Sequence, residues 1–400
     1  MTDNNQYLVP EIRFKRFTNA WEQREYGEVI DLLSGQDFSP SEYNDTCNGI
    51  PYMTGASCIV GKETIVNRWT TVPRCLAEKG DVLLVCKGSG YGAIAVLAQD
   101  KAHIARQFMA LKNLPNLDKV FNYYLLNSVI ENIKKDARGL IAGIARDAVL
   151  KQKISIPLLE EQSRIGTFFA QLDNLITLHK RKLDGLVTLK DGFLQQMFPA
   201  ANEVMPRVRF TGFTGNWEER RLEEMLTERN EQIEESEDYP LMSFVGNVGV
   251  VPKGEQYDRS FLVKGDGKKY KKTELNDFIY SSNNLETGSI GINRTGKAVI
   301  SPVYSIFYSS NDSESLFVGL LSKRKDFINK MIRYRQGIMY GQWRIHERDF
   351  LKIIVLAPTI SEQNRIIDFF KNFDEQIAVQ TAKLEQLRQL KAAYLQRMFI

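Results

Sequence analysis

The chain is poor in the residues that most often bind metals or carry catalysis. Its 400 residues include 3 His and 4 Cys, and the four cysteines lie in the first half without a C-x-x-C pair. A zinc site normally needs such close pairing, so we expect no metal site and reduced thiols in a cytosolic protein. The histidines, at positions 103, 179 and 346, are scattered, with no Ser or Cys partner identifiable by spacing.

Motifs for nucleotide chemistry are missing as well. The sequence has no Asn-Pro pair, which excludes the Asn-Pro-Pro-aromatic loop of adenine methylation, and no G-x-x-x-x-G-K-[ST] phosphate loop. One nuclease-like tripeptide, Asp266-Gly267-Lys268, reads as a turn with a solvated basic run. The glycine cluster "KGSGYG" (87–92) lacks the acidic residue that a dinucleotide site needs about 20 residues later, so a strand–loop–strand fits it better. We therefore expect a chain that is not itself an enzyme.

Long hydrophobic runs are also absent. No stretch approaches about 18 uninterrupted apolar residues, and the first residues have no apolar signal-peptide core. We therefore expect no contact with a membrane and a cytoplasmic location. A length of 400 residues predicts two or more domains. The net charge of +4 permits a polyanionic partner without demanding one.

Two segments of the chain open with the same pattern. "VPEIRFKRFTNAWEQREYGEVI" begins at Val9 and "MPRVRFTGFTGNWEERRLEEML" begins at Met205, and nine positions are identical at a constant offset of 196. A chance match of a common amphipathic pattern would rarely keep two Phe, one Trp and one Pro in register without a gap. The match indicates an internal duplication.

A second repeat predicts two long helices. Residues 157–199 and 358–400 align at an offset of 201, with 18 of 43 positions identical. Each copy has an apolar stripe at spacings of three, four and seven, typical of a coiled-coil seam, broken once by His179 or Gln380. We expect the two helices, each about 60 Å long, to pair with each other rather than to pack only on their own domains. The predicted seam consists of Leu172, Ile176, Leu183, Leu186, Phe193, Met197, Phe373, Ile377, Leu384, Leu387, Tyr394 and Met398.

The segments between the repeats differ from each other. Both alternate short β-type runs with Gly-, Asn-, Asp- and Ser-containing turns, and both contain helical stretches, at 117–135 and 315–335. This pattern predicts an α+β (mixed α/β) fold. We expect two domains, 1–155 and 201–355, to alternate with helices at 156–200 and 356–400. The repeated opening segments and the two long helices, here called the frame, match each other, whereas the segments between them differ. This combination suggests one task performed on two targets.

The chain resembles the specificity subunit of type I restriction-modification systems. The resemblance rests on "VPEIRF…F…W" and its copy, on "IPLLEEQSRI" and "APTISEQNRI" at the helix starts, and on "LKDGFLQQMFP" and "LKAAYLQRMFI" at their ends. It implies two target-recognition domains, each reading half of a split, asymmetric sequence in double-stranded DNA, held apart by an antiparallel coiled coil. It also implies modification subunits that methylate adenine with S-adenosylmethionine and restriction subunits that use ATP and Mg, with no cofactor in this chain. Two frame copies would recruit two modification subunits.

The base-reading surfaces cannot be transferred residue by residue, because "RGLIAGIARDAV" stands in one domain where "RQGIMYGQWRIHERDF" stands in the other. We therefore select side chains that suit base edges or phosphates. We expect Arg294 and Gln342 to read bases, and Lys268 and Lys269 to contact phosphates or solvent. The candidate DNA-binding residues are Lys87, Ser89, Tyr91, Arg138 and Arg146 in the first domain and Asn283, Asn284, Thr287, Ser289, Asn293, Arg294, Tyr340, Gln342 and Arg344 in the second.

Two other classes of function remain open. A coiled-coil adaptor or anti-restriction protein would bind the modification subunit without reading DNA, and a nuclease or methyltransferase would hide an unrecognised site. The divergent Asn- and Arg-rich loops favour DNA reading over the adaptor, and the missing motifs weigh against the enzyme.

Overall fold

A computed structural model of the chain describes residues 8–88, 90–135, 143–246, 248–252, 267–283, 285, 288–337 and 343–400. By its internal contacts the chain divides into two compact units, Met1–Arg181 with Thr381–Ile400, and Lys182–Gln380. Each unit therefore contains one of the divergent segments and a portion of both long helices. The finer division at residues 155, 200 and 355 stays a prediction.

The first unit combines mostly antiparallel sheets with one main helix. Its six-stranded sheet has the order β2-β11-β8-β9-β5-β4, its four-stranded sheet the order β6-β3-β10-β7, and β1 pairs with β12. The elements are β1 (Glu22–Glu25), β2 (Ile30–Ser34), β3 (Ile50–Met53), β4 (Ile59–Val60), β5 (Glu63–Thr64), β6 (Trp69–Thr70), β7 (Leu76–Glu78), β8 (Val82–Val85), β9 (Ile94–Val96), β10 (Lys101–Ile104), β11 (Phe108–Asn113), α1 (Lys119–Lys135), α2 (Arg146–Leu150), β12 (Lys153–Ile156) and the start of α3 (Leu159–Gln196).

The second unit repeats this plan with other lengths. Its sheets have the orders β14-β22-β19-β20 and β15-β18-β21, with the pairs β13-β25, β16-β17 and β23-β24. The elements are β13 (Glu218–Arg221), β14 (Thr227–Glu228), β15 (Gln232–Ile233), β16 (Met242–Val245), β17 (Gly249–Pro252), β18 (Tyr270–Thr273), β19 (Phe278–Tyr280), β20 (Ile290–Ile292), β21 (Ala298–Ile300), β22 (Ser305–Tyr308), α4 (Ser313–Leu321), α5 (Lys325–Ile332), β23 (Gln336–Gly337), β24 (Trp343–Arg344), α6 (Glu347–Leu351), β25 (Ile354–Ala357) and the start of α7 (Ile360–Met398).

A central strand with two buried faces organises each unit. In β8, Val82 and Leu84 join the core cluster that contains α1, whereas Leu83 and Val85 join a second cluster on the opposite face. Alternate side chains of a strand point to opposite faces, so an apolar run such as "VLLV" is buried on both. β19 follows the same rule: Phe278 and Tyr280 face the cluster with α4, and Ile279 faces another.

The stretch at 315–335, predicted as one helical stretch, forms two helices. α4 ends at Leu321 and α5 begins at Lys325. Between them the guanidinium of Arg324 donates to the carbonyl oxygens of Leu194 and Pro199, at 2.9 and 3.2 Å. Arg324 has an extended backbone conformation and is the N-cap of α5, so the second helix starts anew at Lys325.

The two long helices pair in antiparallel fashion inside each unit. In the first unit Phe168, near the start of α3, packs edge-on against Tyr394, near the end of α7. In the second unit Phe193, near the end of α3, packs against Phe373, near the start of α7. All twelve predicted seam residues are buried or half-buried, whereas off-seam Leu178 is 61% exposed. The burial pattern therefore follows the predicted stripe.

Reciprocal ion pairs link the helices at equivalent positions. Lys391 of α7 lies 2.7 Å from Asp173 of α3 in the first unit. In the second unit Lys190 of α3 donates to Asp374 of α7. Each acid and each lysine are related by the offset of 201, so the duplication extends to the contacts between the helices.

A second duplicated contact ties each frame segment to its helix start. Arg13 donates to both carboxylate oxygens of Glu161 at 2.6 and 2.7 Å, and Arg209 donates to both oxygens of Glu362 at 2.7 Å. Both glutamates are 1% exposed. Bidentate pairs of this kind combine charge with a fixed geometry, which explains why Arg and Glu recur in both copies.

Candidate nucleic-acid interface

Two loops of the second unit meet at the end of β19. The Ser282 hydroxyl accepts a hydrogen bond from the backbone N–H of Ile345 at 3.0 Å, and Asn283 Oδ1 accepts one from the N–H of Trp343 at 2.6 Å. Ile345 is fully buried and anchors the second loop in the core. The structure thus brings together the two polar clusters that the sequence places about fifty residues apart, at 281–296 and 333–349.

The hairpin β23–β24 presents exposed side chains beside this junction. Gln336 pairs with Arg344, and Gly337 pairs with Trp343. Trp343 is 50% exposed and the Arg344 side chain 53% exposed. Arg344 lies 3.7 Å from Glu347, the first residue of α6. Its guanidinium is oriented by this acid and still reaches solvent, as a group that reads a base edge must.

The charge of Glu347 is secured by its surroundings. The Ser305 hydroxyl donates to it at 2.8 Å, and Lys271 Nζ lies 4.0 Å away. Burial alone would raise the pKa of Glu347, but its own backbone N–H, Ser305, Lys271 and Arg344 outweigh burial and hold the pKa below its ordinary value. A carboxylate that stays ionised can keep Arg344 in place.

The first unit has an equivalent junction at the end of β8. The N–H of Ile144 donates to the carbonyl of Cys86 at 2.9 Å, and Lys87 forms a β-bridge with Gly143. Lys87 and Arg146 are exposed, and Arg146 begins α2, where its Nη1 lies 3.3 Å from the Ser34 hydroxyl. Ile144 and Ile345 are related by the offset of 201. The glycine loop is a strand–loop–strand, as predicted, because β8 pairs antiparallel with β9.

Several candidates have side chains that bond within the fold, as Asn283 does at the loop junction. Asn293 is fully buried, and its amide donates to Thr273 Oγ1 and to the carbonyl of Gly296 while accepting from the N–H groups of Thr295 and Gly296. These four bonds use its whole hydrogen-bonding capacity, so we leave it out of the proposed contact set.

The Tyr91 side chain is likewise engaged within the fold, and Ser289 is held there through its backbone. The Tyr91 hydroxyl donates to the carbonyl of Lys134 at 3.4 Å and its ring lies under Lys134 Nζ. The carbonyl of Ser289 accepts from the N–H of Ser281 at 2.8 Å. Six further candidates lie outside the described residues: Ser89, Arg138, Asn284, Thr287, Tyr340 and Gln342.

The basic run "KKYKK" (268–272) is not a uniform charged face. Lys271 has a side chain only 7% exposed, and Lys272 pairs with Glu231 at 3.1 Å and Glu274 at 3.4 Å. Lys268 and Lys269 are exposed. Within the run, these two lysines are therefore the ones that remain candidates for phosphate contacts.

The described ranges of the chain also bear on other classes of site. Within these ranges, no group of three or more His, Cys, Asp and Glu could hold a metal ion. Among the helices of the described residues, none is long and apolar enough to cross a membrane.

Comparison with protein families places the chain. The model of the type I restriction modification DNA specificity domain matches twice, at residues 19–187 and 214–389. The chain belongs to this family. The two matches cover both divergent segments and extend into both long helices, in agreement with the duplication found in the sequence and in the contacts.

Individual relatives of this specificity-domain family are distant. The chain is 27% identical over 191 residues to the type I restriction enzyme MjaVIII specificity subunit of Methanocaldococcus jannaschii, a match that covers 42% of this chain and 43% of that protein. The putative MjaX specificity subunit of the same organism is 24% identical over 174 residues, covering 42% of this chain and 40% of its own. The chain thus matches less than half the length of either relative.

Solved structures share the fold. The type I restriction-modification S subunit from M. genitalium superposes with a TM-score of 0.65 at 16% identity, covering 98% of this chain and 99% of that one. A chain from a structure on complex assembly and conformational transition of the type I R-M system gives 0.53 at 15% identity, with 94% and 96% covered. At these identities the likeness concerns the fold.

Sequence reasoning missed Trp343. An isolated Trp in a glycine-containing stretch is commonly a core residue. The two tryptophans of the repeated opening segments, Trp21 and Trp217, are indeed only 3% exposed. Trp343 instead lies half-exposed next to Arg344 in a specificity domain. The available signal was its position beside three side chains already selected, at 340, 342 and 344.

Proposed function

We propose that the chain is the DNA specificity subunit of a type I restriction-modification complex. Recognition domains at residues 1–155 and 201–355 each read one half of a bipartite, asymmetric target in double-stranded DNA, and the helices at 156–200 and 356–400 set the spacer between the halves. The chain itself catalyses nothing. The observation that carries the proposal is that two frames with the same internal ion pairs support two junctions with different exposed side chains.

The proposed contact set follows from exposure. Lys87 and Arg146 serve the first half-site, and Arg344 with Trp343 serves the second, since these described side chains reach solvent beside the two junctions. Arg pairs bidentately with guanine, Lys holds phosphates, and an aromatic ring adds apolar contact with a base. The candidates outside the described residues stay in the set because they lie close in sequence to these side chains: Ser89, Arg138, Asn284, Thr287, Tyr340 and Gln342.

The duplication also supports the proposed assembly. Two equivalent frame copies would recruit two modification subunits in a pseudo-twofold arrangement, so that one subunit acts on each DNA strand. These partners would bind S-adenosylmethionine and methylate adenine, and restriction subunits would bring ATP and Mg. The complex works in the cytoplasm without a membrane. A non-reading adaptor or anti-restriction protein would have the same frame but no preference among DNA sequences.

A variant of Arg344 tests base reading in the second half-site. Arg344→Ala should cost about 1–3 kcal/mol of discrimination at one position of that half and leave the other half unchanged. Arg348→Ala is the matched control, since it removes an exposed arginine four residues away. Binding of the purified complex with the modification subunit would be measured on single-base variants of the target. If Arg344→Ala relaxed discrimination equally in both halves of the target, or in neither half, Arg344 would not belong to the reading surface.

A further inference from the structure

Three cations from different elements converge on Asp374 of α7. Lys190 of α3 donates to its Oδ1, Arg294 Nη2 lies 3.0 Å from its Oδ2, and Lys323 Nζ lies 3.8 Å from the same oxygen. Arg294 comes from the loop after β20, and Lys323 follows α4. All four residues belong to the second unit. A helix of the frame and the recognition domain therefore share one charged cluster, here called the Asp374 cluster.

The Asp374 cluster has an excess of positive charge. In the ion pairs of the described residues, Asp374 is the acid that these three cations share, so the four side chains together have two more positive than negative charges. The equivalent acid in the first unit, Asp173, has two lysine neighbours, Lys391 at 2.7 Å and Lys62 at 3.7 Å, and also accepts from the Tyr124 hydroxyl at 2.7 Å. The second unit thus has one more cation at the equivalent position, contributed by its recognition domain.

The excess charge is costly where it is partly desolvated. The Lys323 side chain is 28% exposed. Burial, with the repulsion of Lys190 and Arg294, lowers the pKa of Lys323 to about 8 despite the attraction of Asp374. Burial would by itself raise the pKa of Asp374, but the three cations outweigh it and hold that pKa below its ordinary value. An arriving anion would relieve the repulsion and raise the pKa of Lys323.

We propose that the Asp374 cluster binds a phosphate of the DNA backbone, with Arg294 as the contacting residue and Lys323 and Lys190 as its supporting charges. Arg294 is 48% exposed and follows β20, at the end of the β19–β20 hairpin opposite to Ser282 and Asn283. A phosphate contact there would be separate from the contacts made at the loop junction. Arg binds phosphate oxygens in a fork geometry, and such contacts fix register without reading sequence. The proposal rests on the proposed function and moves Arg294 from base reading to backbone contact.

The salt dependence of DNA binding tests this assignment. In the complex with the modification subunit, Arg294→Gln should reduce the slope of log affinity against log salt by about one, since one phosphate contact is lost. Affinity should fall equally on target and random duplexes, and the recognised sequence should be unchanged. Lys325→Gln, an exposed lysine two residues from Lys323, is the control and should leave the slope as it is. Arg294→Lys should restore part of the slope, because it retains the charge.

The dependence on pH gives a second readout. Binding should take up a proton near pH 8, so wild-type affinity should fall as pH rises from 7 to 9, and Lys323→Gln should abolish this fall. Other charged groups near Lys323 line a cavity of about 740 Å³ with it: Asp191, Glu203, Arg207, Arg324, Lys325 and Asp326. Inorganic phosphate at constant ionic strength distinguishes the two sources of the anion. If the site holds a DNA phosphate, inorganic phosphate should compete weakly with random DNA in the wild type and less in Arg294→Gln, whereas phosphate that binds at Arg294 without affecting DNA would mark a free-anion site.

Three results would overturn the assignment. The first is an unchanged salt slope in Arg294→Gln. The second is a relaxed base preference at one position without a change of slope, which would return Arg294 to base reading. The third is inorganic phosphate that binds at Arg294 without competing with random DNA, which would identify a site for a free anion. Failure of the proposed function is separate, since the wild-type complex would then show no preference between target and random DNA.

Discussion

Breaking the buried ion pair between Arg13 and Glu161 should cost far more stability than breaking the exposed pair beside it. Glu161 is 1% exposed and the Arg13 side chain 10%, whereas Arg16 and Glu160 are 51% and 68% exposed. Removing one partner of a buried pair leaves an uncompensated charge and costs about 3–5 kcal/mol, while an exposed pair contributes less than about 1 kcal/mol. Arg13→Met should therefore destabilise the first unit several-fold more than Arg16→Met.

Urea denaturation followed by Trp fluorescence measures the difference. Trp21 is buried in the same core cluster that α3 joins, so it reports unfolding of this region. The double variant Arg13→Met/Glu161→Leu should recover most of the stability lost in Arg13→Met, because replacing both partners by apolar groups removes the stranded charge. Equal midpoints for Arg13→Met and Arg16→Met, or a double variant no more stable than Arg13→Met, would refute the reasoning.

Three further predictions concern the helices and the core. Gly185→Ala and Gly192→Ala should each stabilise α3 by up to about 1 kcal/mol, since an added Cβ meets nothing within 4 Å. Gly166→Ala should destabilise α3, because its Cβ would lie 2.9 Å from the backbone nitrogen of Phe121. Thermal unfolding should therefore show shifts of opposite sign. His103 is fully buried, and burial lowers its pKa. Its contribution to stability is therefore present above the ordinary histidine pKa and is lost as pH falls through the lowered pKa. In urea titrations, the acid-induced loss of stability should be smaller in His103→Gln. Inserting seven residues after Lys180 and after Thr381 lengthens each helix by about 10 Å and should add about three base pairs to the spacer, read from the methylated motif; an unchanged spacer would contradict the ruler role of the helices.

Repetition explains how much of the frame could be predicted from the sequence. The stripe from Leu172 to Met197 and its copy are buried or half-buried, as the heptad spacing predicts, because the pattern is local and occurs twice. The matched partners of Asp173 and Asp374 could not be predicted, since Lys391 and Lys190 are distant in sequence and a lysine in a long helix is commonly solvated. The Arg13–Glu161 contact spans 148 positions and leaves no local signal.

The candidate interface was harder to predict because a loop's polar residues serve both structure and binding. Asn293 has the composition of a base-reading residue, yet its amide closes a turn in the core. Arg294, next to it, points away to Asp374. What separates these roles is burial and partner geometry, which depend on the whole fold. The junction of residues 282–283 with 343–345 likewise arises from the packing of Ile345, which sequence spacing does not indicate.

Mapping N6-methyladenine across a genome tests the central claim most directly. The chain would be co-expressed with a matching modification subunit in a host without its own restriction systems, beside the same host lacking this chain. We predict a split, asymmetric motif with a fixed spacer that disappears without the chain. A stable complex that methylates no motif would contradict the claim and favour the adaptor or anti-restriction role.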